Sequence, residues 1–194
     1  MTFTIVLPCR DTHEEKEFLH KSLPAAIKLN PGEIIMAVDA PVSGLFHDEI
    51  MALASANNYH NLKIVAVEKT SDWNFQLAKI VWACYREVKY DAIYSFDVDS
   101  IPTKHVLEGL AQIGKDGVAV YSFTKRLRLK NLPDIIRYFF YRYRVWTTDY
   151  VFTGNYYIWR PFFYDIVVES EYRKIINGVD AYLTEKLIKV GAWW

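Results

Sequence analysis

With 194 residues, 23 basic side chains balanced by 23 acidic ones and 52% hydrophobic residues, the chain is long enough for one domain with a core and too apolar for disorder. Its zero formal charge argues against a surface built throughout to grip nucleic acid. No segment approaches the ~20 apolar residues of a membrane span. "MTFTIVLPCR" does not read as a signal peptide, and Cys9 and Cys84 form no spacing motif, so a cytoplasmic protein with free thiols is expected.

Short apolar runs alternate with longer amphipathic ones. "FTIVLP" (3–8), "EIIMAV" (33–38), "LKIVAV" (62–67) and "AIYSF" (92–96) barely alternate in polarity and read as strands buried on both faces. Helices are expected between them at about 14–29, 44–57 and 72–88. Pro24 should break or kink the first, and Ser71 or Asp72 should cap the third, where Leu77, Ile80, Val81, Cys84 and Val88 form one stripe. A helix (103–113), a strand (117–123), a basic aromatic stretch, "TGNYYIWRP" and two short helical pieces follow. The alternation predicts a single α/β domain with a mostly parallel central sheet flanked by helices.

In such sheets ligands bind beyond the carboxyl ends of the strands. Those ends carry Pro8-Cys9-Arg10-Asp11, Asp39-Ala40-Pro41, Glu68-Lys69-Thr70 and Asp97-Val98-Asp99. On an extended segment, residues two apart point the same way, so Asp97 and Asp99 would aim two anions at one spot. Like charges that close repel unless something compensates. Mn²⁺ or Mg²⁺ does so, since hard cations take carboxylate and phosphate oxygens. The plainer alternative is a solvated turn in which Asp99 and Ser100 cap the next helix.

"IVLPCR", "EIIMAVDAP" and "DAIYSFDVDSIP", in that order, resemble the family 2 glycosyltransferases, which have the GT-A fold. "TGNYYIWRP" is similar to that family's strand beside the acceptor, and "GVDAYLTEKLIKVG" to its acidic catalytic segment, so the likeness spans about residues 3 to 191. Val179 and Lys186 stand where the family usually has Glu and Arg. The resemblance implies one GT-A-type, Rossmann-like domain over 1–194. Residues 1–101 would form its nucleotide-sugar-binding half, and 102–194 a smaller acceptor and catalytic-base half.

It further implies a UDP- or GDP-sugar donor, an acceptor hydroxyl on a carbohydrate, protein or lipid-linked molecule, a Mn²⁺ or Mg²⁺ cofactor, and inversion by a single displacement. Asp39 would accept a hydrogen bond from the base; otherwise it starts a turn at "DAPVSG". Pro8, Cys9 and Arg10 would lie at the nucleoside and diphosphate, with Arg10 offering a planar donor fork. Lys69 would line the pocket, and Lys79 would reach toward phosphate or else snorkel at the surface. Asp99 would hold the cation with Asp97, which also faces the nucleotide. Gly154 and Asn155 would border the substrate. Asp180 is the expected general base, with Asp149 in reserve, because an acceptor hydroxyl attacks only when its proton has somewhere to go. An alternative role for Asp180 is a helix N-cap.

Residues 125–146, "KRLRLKNLPDIIRYFFYRYRVW", carry seven basic residues and one acid among aromatic rings. That mixture suits peripheral contact with the inner membrane face, whereas nucleic acid is disfavoured. The plain alternative is a helix packing Ile135, Ile136, Phe139, Phe140 and Tyr143 on the sheet. Three other functions share the D-x-D feature. A nucleotidyltransferase would show a Gly-rich first loop, and a phosphatase would carry the motif on its first strand. A non-catalytic nucleotide-sugar-binding module would lack the base.

Overall fold

The first four apolar runs all form strands in the computed structural model, which describes residues 2–68, 73–104, 106, 107, 110, 136 and 155–159. In chain order the elements are β1 (Thr4–Cys9), α1 (His13–Ile27), β2 (Glu33–Ala40), α2 (Gly44–Ala56), β3 (Leu62–Glu68), α3 (Trp73–Glu87), β4 (Ala92–Phe96) and β5 (Asn155–Trp159). Val106, Leu107 and Leu110 are helical, in keeping with the helix predicted over 103–113. The strand predicted over 117–123 and the elements expected beyond 160 lie outside the described residues.

The sheet order is β3-β2-β1-β4-β5. β1 to β4 run parallel and β5 runs antiparallel to β4, with Asn155 opposite Phe96. The chain steps outward from β1 to β2 to β3, then crosses back to place β4 on the other side of β1. One face of the sheet carries Ile5, Leu7, Ile34, Met36, Val38, Tyr94 and Phe96 against Leu19 and Leu23 of α1 and Phe46 and Ile50 of α2. Strand residues of the opposite parity, Val6, Ile35, Ala37 and Ile93, are equally buried. Ile80, Val81, Cys84 and Tyr85 of α3 are buried too, and α3 packs on β1, β2 and β3. Coverage on both sides explains why β1, β2 and β4 read as unbroken apolar runs. Phe46 has no exposed surface. Phe46→Ala is therefore expected to cost about 3–5 kcal/mol of stability, read by denaturant titration.

Two local expectations are corrected. α1 runs through Pro24 without interruption. Its missing N–H orphans only the carbonyl of His20, a residue exposed to water that can satisfy it. β3 is not buried on both faces: Lys63, Ala66 and Glu68 are exposed, and only Val67 is fully buried. Among the described residues it is an edge strand, and Lys63 pairs with Glu87 at the end of α3.

Polar clasps fix both ends of the sheet. At the amino end, the buried Thr4 hydroxyl donates to Glu33 at 2.6 Å and accepts from the Tyr90 N–H at 3.3 Å, while Glu33 also takes the Lys89 N–H. At the carboxyl end, Asp11 meets the Lys16 ammonium at 2.7 Å and accepts from the Ser43 N–H at 3.3 Å, tying the β1–α1 loop to the start of α2. The Lys16 and Ser43 contacts hold the Asp11 carboxyl below its ordinary value. Its stabilising contribution is thus present above the usual aspartate pKa of about 4 and fades as pH falls through the lower folded-state value. Asp11→Asn is expected to cost less than about 1 kcal/mol at neutral pH, and the gap to the unsubstituted protein should close in acid.

Candidate functional site

Pro8 has no N–H to give a ladder, and the pairing of β1 with β4 stops at Val6, whereas that with β2 continues to Cys9. The carboxyl ends of β1 and β4 therefore part. Cys9 is buried, its thiol lies 3.5 Å from the Arg10 carbonyl, and burial pushes its pKa upward. It is a packing residue with an unreactive thiol rather than a nucleophile. Beyond it the chain turns through the Arg10 carbonyl, which accepts the Thr12 N–H at 2.9 Å. Thr12 then caps α1 by accepting the Glu15 N–H at 3.3 Å.

Glu15 is the residue that the sequence reading passed over. The spacing Thr12-x-x-Glu15 is that of a capping box, in which the glutamate would reach back to the Thr12 N–H. Here it turns instead to Arg10, accepting the backbone N–H on Oε2 at 2.6 Å while Oε1 lies 3.8 Å from the guanidinium Nε. Burial raises the Glu15 carboxyl above its usual value, partly offset by the Arg10 N–H and charge.

At the end of β4 the two aspartates do not continue as extended strand. The Ser100 N–H donates to the Asp97 carbonyl at 2.9 Å, closing a turn over residues 97–100. Val98 plugs into the core and is 5% exposed, while Asp97 and Asp99 on either side are exposed. Both aspartates thus face outward from a turn that the buried valine holds down. The Ser100 hydroxyl donates to Asp99 Oδ1 at 3.4 Å.

These two strand ends enclose a cavity of about 290 Å³ lined by Pro8, Cys9, Arg10, Glu14, Glu15, Phe18, Ile80, Asp97, Val98 and Asp99. It sits where the strand order reverses, between β1 and β4, the place where ligands bind in open α/β sheets. Asp39 lies at the end of the neighbouring β2, 5% exposed, and its Oδ1 has no hydrogen-bond partner among the described residues. A buried carboxylate oxygen without a partner is costly. An N–H donor from outside the described residues would satisfy it. Asn155 is placed by its backbone beside Phe96, next to the turn. Lys79 is not among the lining residues: its ammonium lies 3.5 Å from Glu68. Lys69, Asp149, Gly154 and Asp180 lie outside the described residues.

The donor set suits a hard cation only in part. Asp97 and Asp99 supply exposed carboxylates at the cavity, but the described residues contain no group of three His, Cys, Asp or Glu side chains placed to hold an ion. Two carboxylates are what magnesium-type sites use when phosphates and water complete the shell. The pair fits a cation that arrives with a phosphate ligand.

No protein-family model matches the sequence, and no curated protein does. Solved structures do match in fold. Glucosyl-3-phosphoglycerate synthase from Mycobacterium tuberculosis, solved with phosphoglyceric acid, aligns at TM-score 0.60 and 16% identity, covering 98% of this chain and 67% of its own. S. aureus TarS, residues 1–349, aligns at 0.55 and 14%, covering 96% of this chain and 55% of its own. The mannosyltransferase PcManGT from Pyrobaculum calidifontis, solved with GDP-Man and Mn²⁺, aligns at 0.53 and 15%, covering 81% and 44%. This chain thus spans from under half to two thirds of the length of these proteins. All three are GT-A-type glycosyltransferases. These matches show the fold: the chain is GT-A-type, with parallel strands in the order 3-2-1-4 and a reversed strand beside β4.

Proposed function

We propose that the protein moves a sugar from a UDP- or GDP-sugar to an acceptor hydroxyl, with Mn²⁺ or Mg²⁺ as cofactor and inversion by a single displacement. The observation carrying this reading is the cavity at the strand reversal, where Arg10 faces the same space as Asp97 and Asp99. The fold-level likeness to a mannosyltransferase solved with GDP-Man and Mn²⁺ supports it.

In this reading Asp39 accepts an N–H of the base on the oxygen that has no partner among the described residues, and Arg10 offers its guanidinium to the diphosphate. Asp97 and Asp99 would hold the cation, which when bound offsets charge on the departing diphosphate. Asp180 takes the proton of the acceptor hydroxyl, with Asp149 as the substitute candidate. The acceptor is a carbohydrate, protein or lipid-linked alcohol, and residues 125–146 dock the cytoplasmic protein on the inner membrane face. Of that stretch only Ile136 is described: it is helical and 47% exposed.

The test is release of free UDP or GDP from a panel of nucleotide sugars, with and without manganese. Cation-dependent release from one donor is the expected result. Phosphate release from a phosphomonoester would instead indicate a phosphatase, pyrophosphate release from a nucleoside triphosphate a nucleotidyltransferase, and binding without turnover a non-catalytic module.

A further inference from the structure

We propose that Glu15 is a latch on Arg10: its carboxylate holds the guanidinium against the cavity wall, so that a diphosphate entering the cavity must compete with Glu15 for it. This rests on the reading of the cavity as a diphosphate site, and adds a positioning residue that sets its affinity.

Three observations carry the inference. Glu15 is not needed as a cap, because the Thr12 hydroxyl already accepts the Glu15 N–H and the Thr12 N–H is taken by the Arg10 carbonyl. The carboxylate instead meets Arg10 at two points and also accepts from the Cys9 thiol. Its contact with the Arg10 backbone N–H is short, at 2.6 Å, and fixes the loop; its contact with Nε is long, at 3.8 Å, and the two side chains are 35% and 24% exposed. The long, partly exposed contact is the exchangeable one. Finally, the described lining residues carry four carboxylates, on Glu14, Glu15, Asp97 and Asp99, against one cation, Arg10. Whichever anion holds that guanidinium therefore decides how well the wall receives phosphate. Burial and the nearby Asp39 carboxylate disfavour the charge on Glu15 while the Arg10 N–H and guanidinium favour it, so the contact is a balanced one that another anion can displace.

Glu15→Gln keeps an oxygen for the Arg10 N–H and removes the charge. Calorimetric titration with inorganic pyrophosphate, and separately with UDP and GDP, all in manganese, is expected to show roughly three- to tenfold tighter pyrophosphate binding to E15Q. In the Arg10→Gln background, which alone should weaken binding, adding E15Q is expected to have a much smaller effect, since the latch works through the guanidinium. A purely structural role for Glu15 would alter binding equally in both backgrounds. Equal or weaker pyrophosphate affinity in E15Q, or an effect that persists undiminished without Arg10, overturns the latch. If pyrophosphate follows the expected pattern but neither nucleotide binds, the latch stands and the glycosyl-transfer reading falls.

Discussion

Asp99→Ala should abolish manganese-dependent nucleotide binding and lower donor turnover about 10²–10³-fold, the scale of losing several kcal/mol of charge stabilisation at a leaving diphosphate. The fold should hardly register the change. The turn is closed by the Asp97 carbonyl and anchored by buried Val98, neither of which the substitution touches, and the Asp99 carboxylate is exposed. Its one hydrogen bond within the turn, from the Ser100 hydroxyl, is long at 3.4 Å. Stability is therefore expected to shift by no more than about 0.5 kcal/mol. The decisive comparison is nucleotide titration with and without manganese beside a thermal melt. Unaltered affinity in a stably folded variant would remove Asp99 from the site.

Asp180→Asn should act on the opposite side of the reaction. It preserves size and removes the proposed proton acceptor, so transfer is expected to fall about 10²–10⁴-fold while nucleotide affinity stays the same. The argument comes from the resemblance of "GVDAYLTEKLIKVG" to the family's catalytic segment and from the chemistry of a hydroxyl nucleophile. Single-turnover transfer rates with saturating donor separate the two terms. If they survive the substitution, Asp149→Asn is the next variant to make, and its collapse would relocate the base.

Much of the fold over residues 1–101 was legible because its elements are governed by local patterns. Unbroken apolar runs placed β1, β2 and β4 to within two residues, and the stripe Ile80, Val81, Cys84 marked the buried side of α3, with Val88 buried just past its end. The site was legible for a topological reason: polar residues after parallel strands must gather at one edge. What escaped was set by partners distant in sequence. β3 has the same composition as its neighbours, yet its exposure follows from lying at an edge, which depends on how the crossovers are laid down. For the Asp97–Asp99 pair the sequence left two readings, an extended segment or a turn in which Asp99 and Ser100 cap the next helix, and the bond from the Ser100 N–H to the Asp97 carbonyl makes it a turn. Glu15 had a visible signature in Thr12-x-x-Glu15, but the motif points to a helix cap, and only the fold shows the carboxylate redirected to Arg10.

The pairing of Phe96 with Asn155 has a consequence for the place of the neighbouring turn. Among the described residues β4 ends at one member of this pair and β5 begins at the other, so the two points are only about 5 Å apart. The first pair of the β4–β5 ladder therefore fixes the base of the turn that carries Asp97 and Asp99, while Val106 and Leu110 beyond that turn are buried in the core.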